Sequence, residues 1–179
     1  MMKKNISLIL VGIIIFSSIT VLTKAEQGQE GKITEKIIFS NPVINSKEDF
    51  EEIILKESNY LINEEGKPAL PAVVKVFNFP FGTKIDKVSV SFSDQKELVI
   101  SKPVKPTSKI HDLPVLNQAE EDTDYVIDYS DINQYPEKKY SYRTGAGIKD
   151  GKHVLYLSLS LNPISYRPAE NLLLYHNSF

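Results

Sequence analysis

Between residues 152 and 162 leucine recurs at every second position, as Leu155, Leu157, Leu159 and Leu161, with Tyr156, Ser158 and Ser160 between them. A helix turns about 100° per residue and would spread those leucines around its circumference, whereas a strand puts all of them on one side. Leucine's preference for helix is worth only a fraction of a kcal/mol, so the pattern decides. The segment therefore predicts a strand with one apolar face, and such a face has to be buried by a second layer. Residues 84–93 repeat the signature, Val88, Val90 and Phe92 alternating with Lys87, Ser89 and Ser91.

Other β-prone runs lie at 33–39, 52–56, 72–79, 98–101, 139–145 and 171–176. The breakers between them agree. Pro80-Phe81-Gly82 and Asn63-Glu64-Glu65-Gly66 read as turns, and Lys149-Asp150-Gly151 as a hairpin in which glycine supplies a positive φ. Ten prolines exclude long helices. Ser46 offers its hydroxyl as a cap for a short helix over 47–55, but a strand from Glu52 is the preferred reading. Short strands with regular turn signals predict a mainly β fold, an antiparallel sandwich or a barrel. Residues 102–124 fit no strand: Pro103 and Pro106 extend the chain, and an acidic stretch follows. A connection that long is functional or mobile.

The first 25 residues stand apart. Lys3 and Lys4 precede an uncharged, mostly apolar run at 6–22, followed by Thr23-Lys24-Ala25 with small residues where a signal peptidase reads. The layout predicts an N-terminal signal helix, residues 1–25 forming a secretory signal peptide, with an uncleaved anchor as the rival. Residues 26–32 form a polar spacer and 33–179 one β domain. The body is expected outside the cell, secreted or extracellular, and on the cell surface if the leader is retained. Membrane contact is expected through the leader alone.

The chain has no cysteine, which excludes a disulfide framework, a thiolate metal site and a cysteine nucleophile within it. Its 21 basic and 23 acidic residues leave no strongly basic character, so nucleic acid is not the expected partner. His111, His153 and His176 are scattered without metal-ligand spacing, and neither metal nor cofactor is expected to be needed. The acidic run Glu120, Glu121, Asp122 and Asp124, with Asp128 and Asp131 beyond, has hard oxygens for calcium, but lacks the glycine at the sixth position of the helix–loop–helix calcium loop. A solvated acidic loop is the simpler reading; Asp122, Asp124 and Asp128 are the residues to watch. Eight of the nine tyrosines follow residue 124, which suits sheet packing with wet hydroxyl ends, or a contact surface for another protein.

Several strings together resemble gingipain-type propeptides, the N-terminal prodomains of secreted cysteine peptidases. They are Glu65-Gly66-Lys67-Pro68-Ala69-Leu70-Pro71-Ala72, Pro80-Phe81-Gly82-Thr83-Lys84-Ile85, Tyr135-Pro136, Tyr142-Arg143-Thr144-Gly145-Ala146-Gly147, Asp150-Gly151 and Asn162-Pro163-Ile164-Ser165-Tyr166-Arg167-Pro168-Ala169. The similarity runs from about Ser58 to Ser178. It implies an all-β, non-catalytic domain that assists the folding of a cysteine peptidase catalytic domain and keeps it latent, in cis in a full precursor or in trans. It also implies that the chain stops short of the last strand or two of the prodomain. Gingipain-type sites prefer a basic residue, so the resemblance makes a lysine or arginine on a loop the plug of the substrate cleft. Lys138, Lys139 and Arg143, around the Tyr135-Pro136 turn, are the first candidates, and Lys109 in the long connection follows. The alternative is an exported β-sandwich module for surface binding or adhesion.

Overall fold

The computed structural model describes residues 19–24, 30–107 and 127–179, with side chains from residue 31 onward. Twelve strands follow in order: β1 Ile19–Lys24, β2 Glu30–Glu35, β3 Val43–Ser46, β4 Glu51–Ile54, β5 Tyr60–Ile62, β6 Leu70–Pro80, β7 Lys84–Val90, β8 Lys96–Val99, β9 Tyr140–Lys149, β10 Lys152–Leu161, β11 Ile164–Arg167 and β12 Leu172–Tyr175. One 3-10 turn, Pro168–Glu170, links the last two. The strands form sheets of order β5-β6-β10-β9, β11-β12-β8 and β2-β1-β7, with β3 and β4 as a separate pair. All these ladders are antiparallel and none closes into a barrel, so of the two expected architectures the sandwich is the one formed.

The leucine alternation does what its period predicts. Leu157, Leu159 and Leu161 of β10 are each 0% exposed, while Ser158 and Ser160 face outward and remain half-buried. Beside them on β6, Phe79 pairs with Leu155 and Val73 with Leu161. This face packs in one core with Ile164, Tyr166 and Leu173 of the β11-β12-β8 sheet. Val88 of β7 joins the same core, with Val90 and Phe92 packed against it.

The turns also form where turn chemistry puts them. Asp150 and Gly151 sit at φ 50° and 73°, the paired positive angles of a two-residue hairpin joining β9 to β10. Gly82, at φ 87°, follows Phe81, and Thr83 N–H closes the turn on the Pro80 carbonyl at 3.1 Å.

Two expectations change in detail. The run expected at 33–39 divides: β2 ends at Glu35, and Ile37 and Phe39 pair instead with the end of the chain. Ile37 and Phe179 exchange backbone bonds of 3.0 and 2.9 Å, and Phe39 N–H donates to the Asn177 carbonyl at 2.7 Å. The preferred strand from Glu52 forms as β4, paired with β3, and Ile53 and Leu55 enter the core at two-residue spacing. Residues 101–107 of the long connection are not structureless. Val104 bridges Glu51 and Pro106 bridges Pro68, and Val104 is 0% exposed. β3, β5 and β11, of 3 or 4 residues, lay below the sequence signal. Residues 1–18 of the expected leader lie outside the described residues; its last part is β1, whose backbone pairs with β2 and β7. Among the described residues no helix is long and apolar enough to cross a membrane.

Candidate functional site

Cross-strand register places small side chains together on the outer face of the largest sheet. Val74, Ser160 and Ser141 form one row across β6, β10 and β9; Val76, Ser158 and Arg143 form the next. Serines on adjacent strands leave space above the sheet. Tyr60 and Ile62 of β5 and the segment Asp131 to Lys138 line that space. The result is an open groove of about 830 Å³.

The loop that walls the groove is held at both ends. Tyr135 and Tyr166 exchange backbone hydrogen bonds of 2.9 and 2.7 Å, fixing the cis Tyr135–Pro136 unit against β11. Asn162 donates through Nδ2 to the Lys138 carbonyl at 2.7 Å and through its backbone N–H to the Lys139 carbonyl at 2.8 Å. Upstream, the Asp128 carboxylate accepts the Ser130 N–H at 3.0 Å, and this bond lowers its pKa. Tyr129 lies under the loop, 8% exposed, and its hydroxyl donates to the Val104 carbonyl at 2.8 Å. Burial pushes its pKa well above the usual tyrosine value, with the neighbouring Tyr166 adding to the effect. The Tyr135 pKa is raised likewise, by burial first and then by the nearby Glu64 charge. Both phenols therefore serve as neutral packing groups.

The structure separates the basic candidates. Lys138 and Arg143 are exposed and line the same groove. Lys139 points elsewhere: its ammonium lies 2.9 Å from His176 Nε2 and 5.2 Å from the centre of the Phe92 ring. An ammonium only donates, so Nε2 is the acceptor and Nδ1 carries the proton, which it donates to the Ser93 carbonyl at 2.8 Å. Burial, opposed by that bond to Ser93 and assisted by the Lys139 charge, holds the His176 pKa below the usual value. Lys109, His111, Asp122 and Asp124 lie outside the described residues. Asp128 is spent on its turn, and among the described residues no group of three or more His, Asp or Glu is placed to hold a metal.

Sequence reasoning missed the contributions of Glu64, Ser141, Ser158 and Ser160 to the groove. It also missed the His176 clasp, whose partners are 37 and 83 residues away in sequence. The serine spacing on β10 was the one available signal for the groove floor.

Neither a protein-family model nor a curated protein sequence matches the chain. Its fold, a sandwich of antiparallel strands, is similar to that of gingipain-type propeptides. Among solved structures it is similar to gingipain K from Porphyromonas gingivalis, described for its zymogenic latency, with a TM-score of 0.60 at 17% identity, over 92% of this chain and 90% of that one. It is also similar to a chain in the complex of Porphyromonas gingivalis RgpB pro- and mature domains, with a TM-score of 0.53 at 16% identity, over 89% of this chain and 80% of that one.

Proposed function

We propose that this chain is the non-catalytic prodomain of an exported gingipain-like cysteine peptidase, keeping the peptidase latent and assisting its folding. The observation that carries the reading is the likeness of fold over nearly the whole length of both chains. Lack of cysteine accords with it, since the nucleophile then belongs to the partner domain.

The physics of latency asks for a rigid body and a blocking side chain. The sandwich supplies the body, with its buried leucine face and both ends of the loop pinned. Of the candidates around the Tyr135-Pro136 turn, Lys138 and Arg143 have exposed side chains that enter no ion pair among the described residues, so either is free to enter a cleft that takes a basic group. Lys139 is engaged by His176 and drops to a positioning role; Lys109 stays in the set. Export follows from the leader, and excision after Ala25 would remove β1 from the mature chain.

The test is to mix the purified chain with the catalytic domain of a gingipain-type peptidase. Slow-dissociating inhibition and a higher refolding yield of that domain are expected, and substitution of the true plug by Ala is expected to weaken inhibition by about tenfold or more, the scale of a desolvated hot spot. Absence of both effects in the wild-type chain overturns the proposal. Mass spectrometry of the exported protein reports whether its N-terminus is residue 26.

A further inference from the structure

β9 is a free sheet edge. It runs ten residues, pairs along its whole length with β10, and among the described residues has no strand on its other side. The Asn162 N–H to Lys139 O bond sets the phase of that ladder, because it makes 139 and 162 a directly bonded pair. Counting by twos, Ser141, Arg143, Gly145 and Gly147 bond inward to β10. The backbone groups of Tyr140, Tyr142, Thr144 and Ala146 therefore point outward, as does the Ile148 carbonyl, which is taken by the Tyr156 hydroxyl at 2.9 Å. Exposed edges of this length are usually blunted by proline, a bulge, a covering loop or charged side chains, lysine above all. β9 has no proline and no register shift, and most of its residues are exposed.

Its charge is also one-sided. From Lys138 to Lys152 the sequence has five basic residues and one acidic residue, in a chain whose net charge is −2. Lys149 and Lys152 face each other across the ladder, a pairing that costs stability. Arg143, Lys149 and Lys152 enter no ion pair among the described residues.

We propose that the outer edge of β9 is a docking site for an extended, acidic segment of a partner polypeptide, which adds as a further strand of the β5-β6-β10-β9 sheet. Main-chain bonds to Tyr142, Thr144 and Ala146 hold the segment, and acidic side chains at its ends meet Arg143 and the Lys149/Lys152 pair. Gly145, with nothing within 4 Å of its Cβ position, gives the incoming side chains room. Self-pairing of two β9 edges is disfavoured because it sets like charges against each other. Under the proposed function the segment belongs to the peptidase domain; the site deepens that reading and rests on it only for the partner's identity.

The probe is a capped peptide of about eight residues, alternating Glu with Val and Thr, the usual length of a strand. Its lysine-for-glutamate counterpart is the control. Amide NMR shifts of the full chain are expected to move at Tyr142, Thr144 and Ala146, with the lysine peptide binding at least tenfold more weakly. Thr144→Pro removes one outward N–H and leaves the β10 ladder intact. It is expected to weaken binding about tenfold at an unchanged melting temperature, and K149E/K152E to weaken binding of the acidic peptide and make it less sensitive to salt. Shifts elsewhere, equal affinity for both peptides, or concentration-dependent pairing of this chain through β9 overturn the proposal. Peptide binding at β9 without any inhibition of the peptidase leaves the edge site standing and overturns the latency reading. Inhibition that the peptide neither competes with nor shares, and that Thr144→Pro leaves untouched, does the reverse.

Discussion

Gly147 shows how one residue carries a packing decision. A Cβ built there would lie 2.2 Å from Tyr156 Cε2, because the tyrosine ring crosses the glycine to reach the Ile148 carbonyl. Gly145, two residues earlier, has nothing within 4 Å of its Cβ position. Gly147→Ala is expected to cost about 1–3 kcal/mol by displacing the ring. Gly145→Ala is expected to be neutral or to stabilise by up to about 1 kcal/mol, through the unfolded chain. Denaturant midpoints of the two variants make the comparison. His176 gives a residue-scale pH dependence. Its folded pKa is depressed by burial, so the unfolded state binds the proton more readily. The associated stability is complete above the unfolded value of about 6.5 and is lost as pH falls through the lower folded value. Urea midpoints should therefore drop as pH falls below the unfolded value of about 6.5, and His176→Asn should flatten that slope. Neither the ring over Gly147 nor the His176 clasp is legible in sequence, since both depend on which strands become neighbours.

At the scale of elements, β10 separates the two faces of a strand. Leu159 is 0% exposed in the core and Ser160, next to it, faces the groove. Leu159→Ala is expected to cost about 2–5 kcal/mol, from lost transfer energy and the cavity left behind. Ser160→Ala is expected to stay within about 0.5 kcal/mol. Chemical denaturation measures both, and equal effects would contradict the assignment of faces. This alternation and the Asp150-Gly151 hairpin were readable because their physics is local: a two-residue period and a pair of positive φ angles. β5 and β11, of 3 and 4 residues, carried no such local signal. The run at 33–39 was readable as extended chain, but not as two pairings with different partners.

At the scale of the whole molecule, the two ends of the described domain close on each other. Phe179 is 0% exposed, its ring centroid 5.1 Å from Phe39 and 4.7 Å from Phe92 in edge-on contacts. Its backbone pairs with Ile37. Phe179→Ala is expected to cost about 3–5 kcal/mol and to loosen residues 37–39, read as a lower melting temperature and faster amide exchange there. The gingipain-type fold was legible as a resemblance because turn residues keep their order and spacing: Pro80-Phe81-Gly82, Asp150-Gly151, Tyr135-Pro136. The candidate site was half legible. Lys138 and Arg143 were nameable as basic residues near a turn, but their convergence on one groove, and the diversion of Lys139 to His176, required the sheet order β5-β6-β10-β9.

The amino-acid sequence by itself determined the strand-built class, the buried leucine face, the tight turns and the absence of any cysteine chemistry. Each of these follows from periodicity, φ preference or composition, which act over a few residues. Tertiary structure alone decided which strands pair, which serines floor a groove, which lysine is free and which strand lies at the sheet's edge among the described residues. Those outcomes depend on contacts between residues tens of positions apart, and the energy of such a contact exists only once the intervening chain has been folded back to make it.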